Sequence, residues 1–313
     1  MKKILLSVFA VAALASCIQN ETINPQTAIG FGDAYVQNTT KAIYDDAEDI
    51  TGFTVWGNFK GTGSTIALYG DSGATVTRGG AALGAAWTCS ETRFWAPSST
   101  YNFVAIANGT GTEVANGIPT KISYAINTTD DADLIYGAKT AVTDETGTPT
   151  VGVNAAKVVN FTMNHLLSRI KLSFVNKVEG GDYTFDVKNV KVTTWAEGIY
   201  TIATDTWAQK DATTAELTFD GATNLVYDTP SAASAHLVIP GTNNVTISFT
   251  YVEKLNGTEY LEVPVEKTLT TTLVKNYSYN VSVELSKDNE IKFTVDDTNG
   301  LVDYEEGGDV TVQ

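Results

Sequence analysis

Cysteine, histidine, proline and positive charge are all scarce in this chain, and each scarcity closes off a class of protein. Two cysteines, Cys17 and Cys89, in 313 residues leave no disulfide framework to brace the fold. Two histidines, His165 and His236, each stand alone at the end of a predicted strand. They read as packed or surface side chains rather than ligands. Seven prolines and 26 glycines exclude collagen-like and proline-rich low-complexity architectures. Lysine and arginine total 20 against 36 aspartates and glutamates, a formal net charge of −16. A field of that sign repels phosphate backbones and argues against nucleic-acid binding. Its ordinary use is solubility on an exposed surface. No segment after the first few residues is long and apolar enough to cross a membrane as a helix.

Catalytic motifs are missing too. Arg78-Gly79-Gly80 and similar stretches lack the spacing of a phosphate-binding loop and read as turns. No G-x-S-x-G elbow and no H-E-x-x-H occurs. The acidic groups Asp45-Asp46-Glu48-Asp49 and Asp130-Asp131-Asp133 are the only metal-like clusters. The second lacks the glycine and terminal glutamate of a calcium loop, so both read as solvated loops with no metal. No cofactor is implied and nothing points to catalysis. Carboxylates distant in sequence can still meet in space, so glycoside hydrolysis stays open.

What is present begins with the leader, MKKILLSVFAVAALASC. Lys2 and Lys3 give a positive n-region, and Ile4 to Ala13 an apolar stretch typical of an export signal. Leu14-Ala15-Ser16-Cys17 then fits a bacterial lipobox, in which the cysteine thiol receives the diacylglyceryl group. Residues 1–16 are therefore expected to be a lipoprotein signal peptide. Acyl chains on Cys17, at roughly 0.8 kcal/mol per buried CH2, would hold the mature protein to a membrane. Cys89, left without a partner in the chain, reads as a small buried apolar side chain.

From residue 27 onward the hydrophobic period is two. Phe53, Val55 and Phe59 alternate with polar neighbours. So do Val245, Ile247, Phe249 and Tyr251, then Tyr277, Tyr279, Val281, Val283 and Leu285, then Ile291, Phe293 and Val295. Such runs predict strands with one buried face. Turn clusters separate them, and Asn256-Gly257 is a hairpin signal. No amphipathic helix of three turns is visible. The pattern predicts an all-β fold of sandwiches. A dozen or more strands exceed one sandwich, so two domains are expected, 42–156 and 157–313, parted at the loose segment Asp144 to Ala156. Val158 to Met163 could belong to either side.

Several phrases, in this order and behind a lipobox, resemble the fimbrillin family of Bacteroides-type bacteria, the subunits of type V pili. They are FWAPSSTYNFVAIAN (Phe94 to Asn108), DADLIYGA (Asp131 to Ala138), FTMNHLLSRIKLSF (Phe161 to Phe174), and YSYNVSVEL followed by EIKFTVDD. The resemblance covers nearly the whole mature chain. It implies two tandem transthyretin-like sandwiches in a cell-adhesion protein that is not an enzyme. It also implies export to the outer membrane as a lipoprotein and partners that are other pilus subunits. In the family an N-terminal strand fills a groove in the first sandwich. A trypsin-like protease cuts after a basic residue, and a strand from another subunit takes the vacated place. Here Thr27 to Val36, with Ile29, Phe31 and Tyr35 on one face, looks like the removable strand within segment 17–41. Lys41, the first basic residue after the leader, is followed by Ala42 where the family commonly has Arg-Ala. A lysine puts an arginine-only protease in doubt. The acidic C-terminal tail, with Gly307-Gly308 and few apolar residues, is a poor donor strand, so an anchor or accessory role stays open beside stalk and tip.

The rival reading is a glycan-binding outer-membrane lipoprotein, also built from tandem sandwiches. It requires an exposed aromatic platform drawn from Trp56, Trp87, Trp95, Trp195 or Trp207, although residues in alternating strands more often serve the core.

Overall fold

A computed structural model of the chain describes residues 27–36, 50–61, 63–80, 85–96, 99–129, 131–143, 148–149, 157–242, 244–287 and 290–299. Among them there is no α-helix, and 22 strands supply the regular structure. The first half contains β1 (Ile29–Val36), β2 (Gly52–Lys60), β3 (Thr65–Ala67), β4 (Ala74–Arg78), β5 (Trp87–Cys89), β6 (Thr100–Ala107), β7 (Thr110–Ala115), β8 (Ile118–Ala125), β9 (Ile135–Val142) and β10 (Thr148–Pro149). The next group is β11 (Lys157–His165), β12 (Ser168–Asn176), β13 (Tyr183–Trp195), β14 (Glu197–Thr201), β15 (Thr206–Gln209) and β16 (Thr214–Thr218). The last is β17 (Ala222–Leu225), β18 (Ser234–Val238), β19 (Thr246–Leu255), β20 (Thr258–Thr268), β21 (Tyr277–Leu285) and β22 (Ile291–Asn299).

The strands form four sheets. The first is nine-stranded, in the order β1-β11-β9-β6-β2-β4-β5, with β10 beside β11 and β3 beside β2. A four-stranded sheet, β18-β12-β21-β22, and a five-stranded sheet, β16-β13-β19-β20 with β17 beside β13, form the second sandwich. Its core contains Ile170, Leu172, Phe174, Phe185, Ile247, Phe249, Tyr279, Val281 and Val283. These are the inward members of the alternating runs, as the period-two pattern requires. At the β19–β20 hairpin, Asn256 and Gly257 take φ of 50° and 76°, the left-handed pair that a two-residue turn needs to match strand twist.

The remaining sheet, β15-β14-β8-β7, joins the two halves of the chain. Glu197 to Thr201 pair with Ala125 to Lys121, so a hairpin from the second half completes a sheet begun in the first. It covers the outer face of the nine-stranded sheet through Trp56, Val104, Ile106, Ile122, Tyr124 and Tyr200. That explains a departure from simple alternation. Phe53 and Val55 of β2 face one core while Trp56 faces another, and both faces of the strand are buried. Strand β11, which the sequence leaves open between the halves, pairs with β1 and β9 in the first sheet. Leu166 and Leu167, both fully buried, then carry the chain into β12. The phrase FTMNHLLSRIKLSF thus threads from one unit to the other through packed apolar contact.

A repeated device shows that the two units share a plan. Tyr101 on β6 accepts a hydrogen bond from the Ala96 amide at 2.6 Å. Tyr279 on β21 accepts one from the Val274 amide at 2.8 Å and donates to the Thr272 carbonyl at 3.2 Å. In both, a tyrosine pins the chain five residues upstream, the arrangement of a tyrosine corner. The matching tripeptides Thr100-Tyr101-Asn102 and Ser278-Tyr279-Asn280 are its trace in the sequence.

Candidate functional site

Strand β1 lies at one edge of the nine-stranded sheet and runs parallel to β11, from Ile29 opposite Lys157 to Val36 opposite Met163, with a register shift between Phe31 and Ala34. On its other flank, among the described residues, only its start is held. The Ile29 amide donates to the Arg93 carbonyl at 2.8 Å, and the Trp95 amide donates to the Thr27 carbonyl at 3.0 Å. The strand therefore has one ladder of slanted parallel bonds, the slightly weaker pairing type, interrupted once by the register shift, and a short clamp.

Its side chains fill a groove. Ile29 and Phe31 are 5% and 4% exposed, and Ala34 is fully buried. The Phe31 ring lies edge-on to Phe53 and Phe103, with centroids 6.3 Å and 5.9 Å away, and stacks on Phe161 at 6.2 Å. Such aromatic contacts add to simple burial. Gly32 is dictated by space, since a Cβ there would stand 2.1 Å from Asn160 Oδ1. Two of the three side chains expected on the strand's inner face, Ile29 and Phe31, thus enter the groove. The side chain of Tyr35, together with Cys17, Lys41, Ala42 and the cluster Asp45 to Asp49, lies outside the described residues.

The structure overturns the reading of the second acidic cluster. Asp131 and Asp133 are not a solvated loop (Asp130 lies outside the described residues), and the two histidines, packed or partly packed as expected, pair with them. His165 Nδ1 contacts Asp133 Oδ2, with the two side chains 1% and 0% exposed. His236 Nδ1 lies 3.0 Å from Asp131 Oδ2. The loop before β9 is fastened further by the Asn108 side-chain amide, which donates to the Asp133 carbonyl at 2.8 Å, and by Tyr124 Oη, which donates to the Ala132 carbonyl at 2.7 Å. Both histidines of the chain therefore bind acids of one loop, Asp131 and Asp133, where β9, β11 and β18 meet. The sequence did hold a sign of this. His165 shares strand parity with Phe161 and Met163, so it must point inward and needs a buried partner. These are two separate pairs, and no group of three metal-ligating side chains gathers among the described residues.

Charge at these pairs follows from their surroundings. Burial pushes the Asp133 carboxyl above the usual carboxylate range, against the opposing hydrogen bond and charge of His165. At His236 the hydrogen bond to Asp131 raises the imidazole above its ordinary value, outweighing partial burial. His236 Nε2 also faces the Thr218 carbonyl at 3.0 Å, so both ring nitrogens meet acceptors, as suits an imidazolium. A raised folded-state value means that this pair's stabilisation is complete below the unfolded value of about 6.5 and is lost as pH rises through the folded value. The difference in urea midpoint between the wild type and Asp131→Asn is therefore expected to be largest near pH 6 and to shrink toward pH 9, roughly, as the imidazole deprotonates. A pH-independent difference would show that the charge of His236 contributes nothing.

Trp56 and Trp95 are buried. Trp87, Trp195 and Trp207 are half-buried. Cys89 is likewise half-buried rather than enclosed, and burial pushes its thiol up, away from reactivity.

Solved structures share this architecture. A fimbrial protein from Bacteroides vulgatus ATCC 8482 superposes with a TM-score of 0.62 at 18% identity, over 88% of this chain and 100% of that one. A candidate cell adhesion protein from Bacteroides uniformis ATCC 8492 gives 0.50 at 16% identity, over 88% and 98%. Another from Bacteroides ovatus ATCC 8483 gives 0.52 at 11%, over 89% and 99%. At such identities the likeness is one of fold. No curated protein matches the chain. At the level of sequence, the family model described as Fimbrillin-like matches residues 40–297. Because that match starts ahead of β2, ends within β22 and takes in both sandwiches, the chain belongs to the fimbrillin-like family.

Proposed function

We propose that the protein is a pilus subunit serving adhesion, exported to the outer membrane as a lipoprotein on Cys17 and assembled by strand exchange, without catalysis of its own. The observation that carries this reading is the placement of β1. It is an edge strand, parallel to one neighbour, whose Ile29 and Phe31 occupy an aromatic groove. Cutting the Lys41–Ala42 bond would leave β1 held by contacts alone. An intact tether keeps a strand at an effective concentration of order mM; once cut, the strand can diffuse away. The vacated groove would present unpaired backbone groups of β11 and a bed of Phe53, Phe103 and Phe161, a template for a strand from another subunit. Buried side chains at roughly 1.5–3 kcal/mol each, plus the ladder, would make the new joint long-lived.

The test is the intact mass and N-terminal sequence of the protein taken from its native cell surface. A chain beginning at Ala42 is the expected result for the assembled form, and Lys41→Ala is expected to abolish it and leave the subunit unpolymerised. A chain beginning at acylated Cys17 in assembled fibres would overturn the processing step.

A further inference from the structure

Away from the β1 groove, a second concavity lies where the shared sheet meets the loops of the second sandwich. It has a volume of about 530 Å³, and its lining includes Trp195, Trp207, Asp205, Lys275 and the rim threonines Thr242 and Thr272. Two of the three half-buried tryptophans of the described residues converge here, on the end of β13 and on β15. Trp207 spends its indole N–H on the Leu166 carbonyl at 2.9 Å. What it has left to offer a ligand is ring surface, not a donor.

The polar groups are arranged in a way that suits a neutral, hydroxyl-rich molecule. Lys275 Nζ lies 2.7 Å from Asp205 Oδ1, and Tyr200 Oη donates to the same oxygen. Both partners meet Oδ1, and the carboxylate, 58% exposed, keeps lone pairs that can accept from a ligand. Burial pushes the Asp205 carboxyl up, but Lys275 and Tyr200 outweigh it and hold the group below the usual range, so it stays an acceptor at neutral pH. The carboxylate and ammonium compensate each other, so the cleft itself offers no net charge to an ion, and the chain's −16 disfavours anions generally. Thr242 and Thr272 share a hydroxyl contact of 2.9 Å at the rim, and exposed Val274 adds an apolar lip.

We propose that this cleft, in which two indoles flank an Asp205–Lys275 pair, is a saccharide-binding site for one or two neutral pyranose units of a surface glycan. An indole face is electron-rich and attracts the weakly positive C–H bonds of one pyranose face. The ring hydroxyls can donate to the Asp205 carboxylate and accept from Lys275 and the threonines. The volume falls within the range of small-molecule sites, about 300–1,000 Å³. The competing occupant is a peptide strand laid along the free edge of β15. That strand has only four residues, too short a ladder to hold an extended segment firmly.

The test is a titration of the full exported protein, in detergent, with methyl β-galactoside, methyl α-mannoside, N-acetylglucosamine and lactose, followed by tryptophan fluorescence and calorimetry. At least one sugar is expected to give saturable binding with a half-point of order 1 mM, the weak end of the affinity scale. Thr272→Arg, which puts a long side chain across the rim, is expected to weaken it at least about tenfold, one step of 1.4 kcal/mol, at unchanged melting temperature. If that variant melts early, Lys275→Ala replaces it, with the same tenfold expectation. No saturable response to any of the four sugars would overturn the proposal. So would binding that both variants leave untouched, or quenching produced only by a peptide of residues 27–36. The sugar titration depends on neither cleavage at Lys41 nor release of β1, so its failure and that of strand exchange are separate results.

Discussion

Replacing Asp133 by alanine is expected to cost the protein about 3 kcal/mol, the upper end of the range for leaving a buried hydrogen-bonding group without its partner. The size follows from where the pair sits. Asp133 and His165 are 0% and 1% exposed, the Leu134 amide also meets the Asp133 carboxyl, and His165 Nε2 has no hydrogen-bond partner among the described residues. Their mutual contact is thus the main compensation for taking both groups out of water, and a lone imidazole in that position has none. The surroundings magnify the loss, because the same loop is fastened to the β6–β7 turn by Asn108 and to β8 by Tyr124. Urea unfolding would measure the effect, with His165→Leu expected to behave similarly. The double variant Asp133→Leu with His165→Leu is expected to cost far less than the sum, since apolar replacement of a buried pair is often neutral or better. A single-variant cost below about 1 kcal/mol would refute this account.

The second large effect belongs to Phe31. A Phe-to-Ala change in a packed core costs about 3–5 kcal/mol, and here the three aromatic partners Phe53, Phe103 and Phe161 lose their common neighbour. Because β1 is an edge strand with a single, interrupted ladder, much of that cost is expected to appear as local detachment and not as global unfolding. Hydrogen exchange should show the β1–β11 amides opening at least about a hundredfold more often, the equivalent of roughly 2.8 kcal/mol. The amides of β19 and β21, in the other sandwich, should be nearly unchanged. Equal acceleration throughout the chain would mean that β1 is an integral part of the core and a poor candidate for exchange. Gly32 sharpens the comparison. Gly32→Val leaves Phe31 in place but sets a side chain against Asn160, and it should detach the same strand by steric means alone.

Much of the fold could be read directly from the residue pattern. The period-two runs became β2, β19, β21 and β22, Asn256-Gly257 became the β19–β20 turn, and the all-β class followed. These features are local, set by side-chain parity and by backbone angles that particular residues permit. The inward placement of Ile29 and Phe31 belongs with them, because alternation alone selects the face. The family, too, was legible in short ordered phrases.

Tertiary structure decided everything that depends on which distant strands meet. Residues 197–201 look like any other second-half strand, yet they complete a sheet with residues 121–125 and bury the outer face of β2 and β6. Asp133 reads as one more acid in a polar run until the fold carries His165, 32 positions away, against it. Trp195 and Trp207 carry no mark that separates them from core tryptophans. Only the junction between the shared sheet and the second sandwich leaves their rings half open beside Asp205 and Lys275. Local periodicity specifies which side of a strand is apolar. It does not specify what will cover that side, because a strand's hydrogen-bonding edges accept many partners, and the choice is made by the packing of the whole.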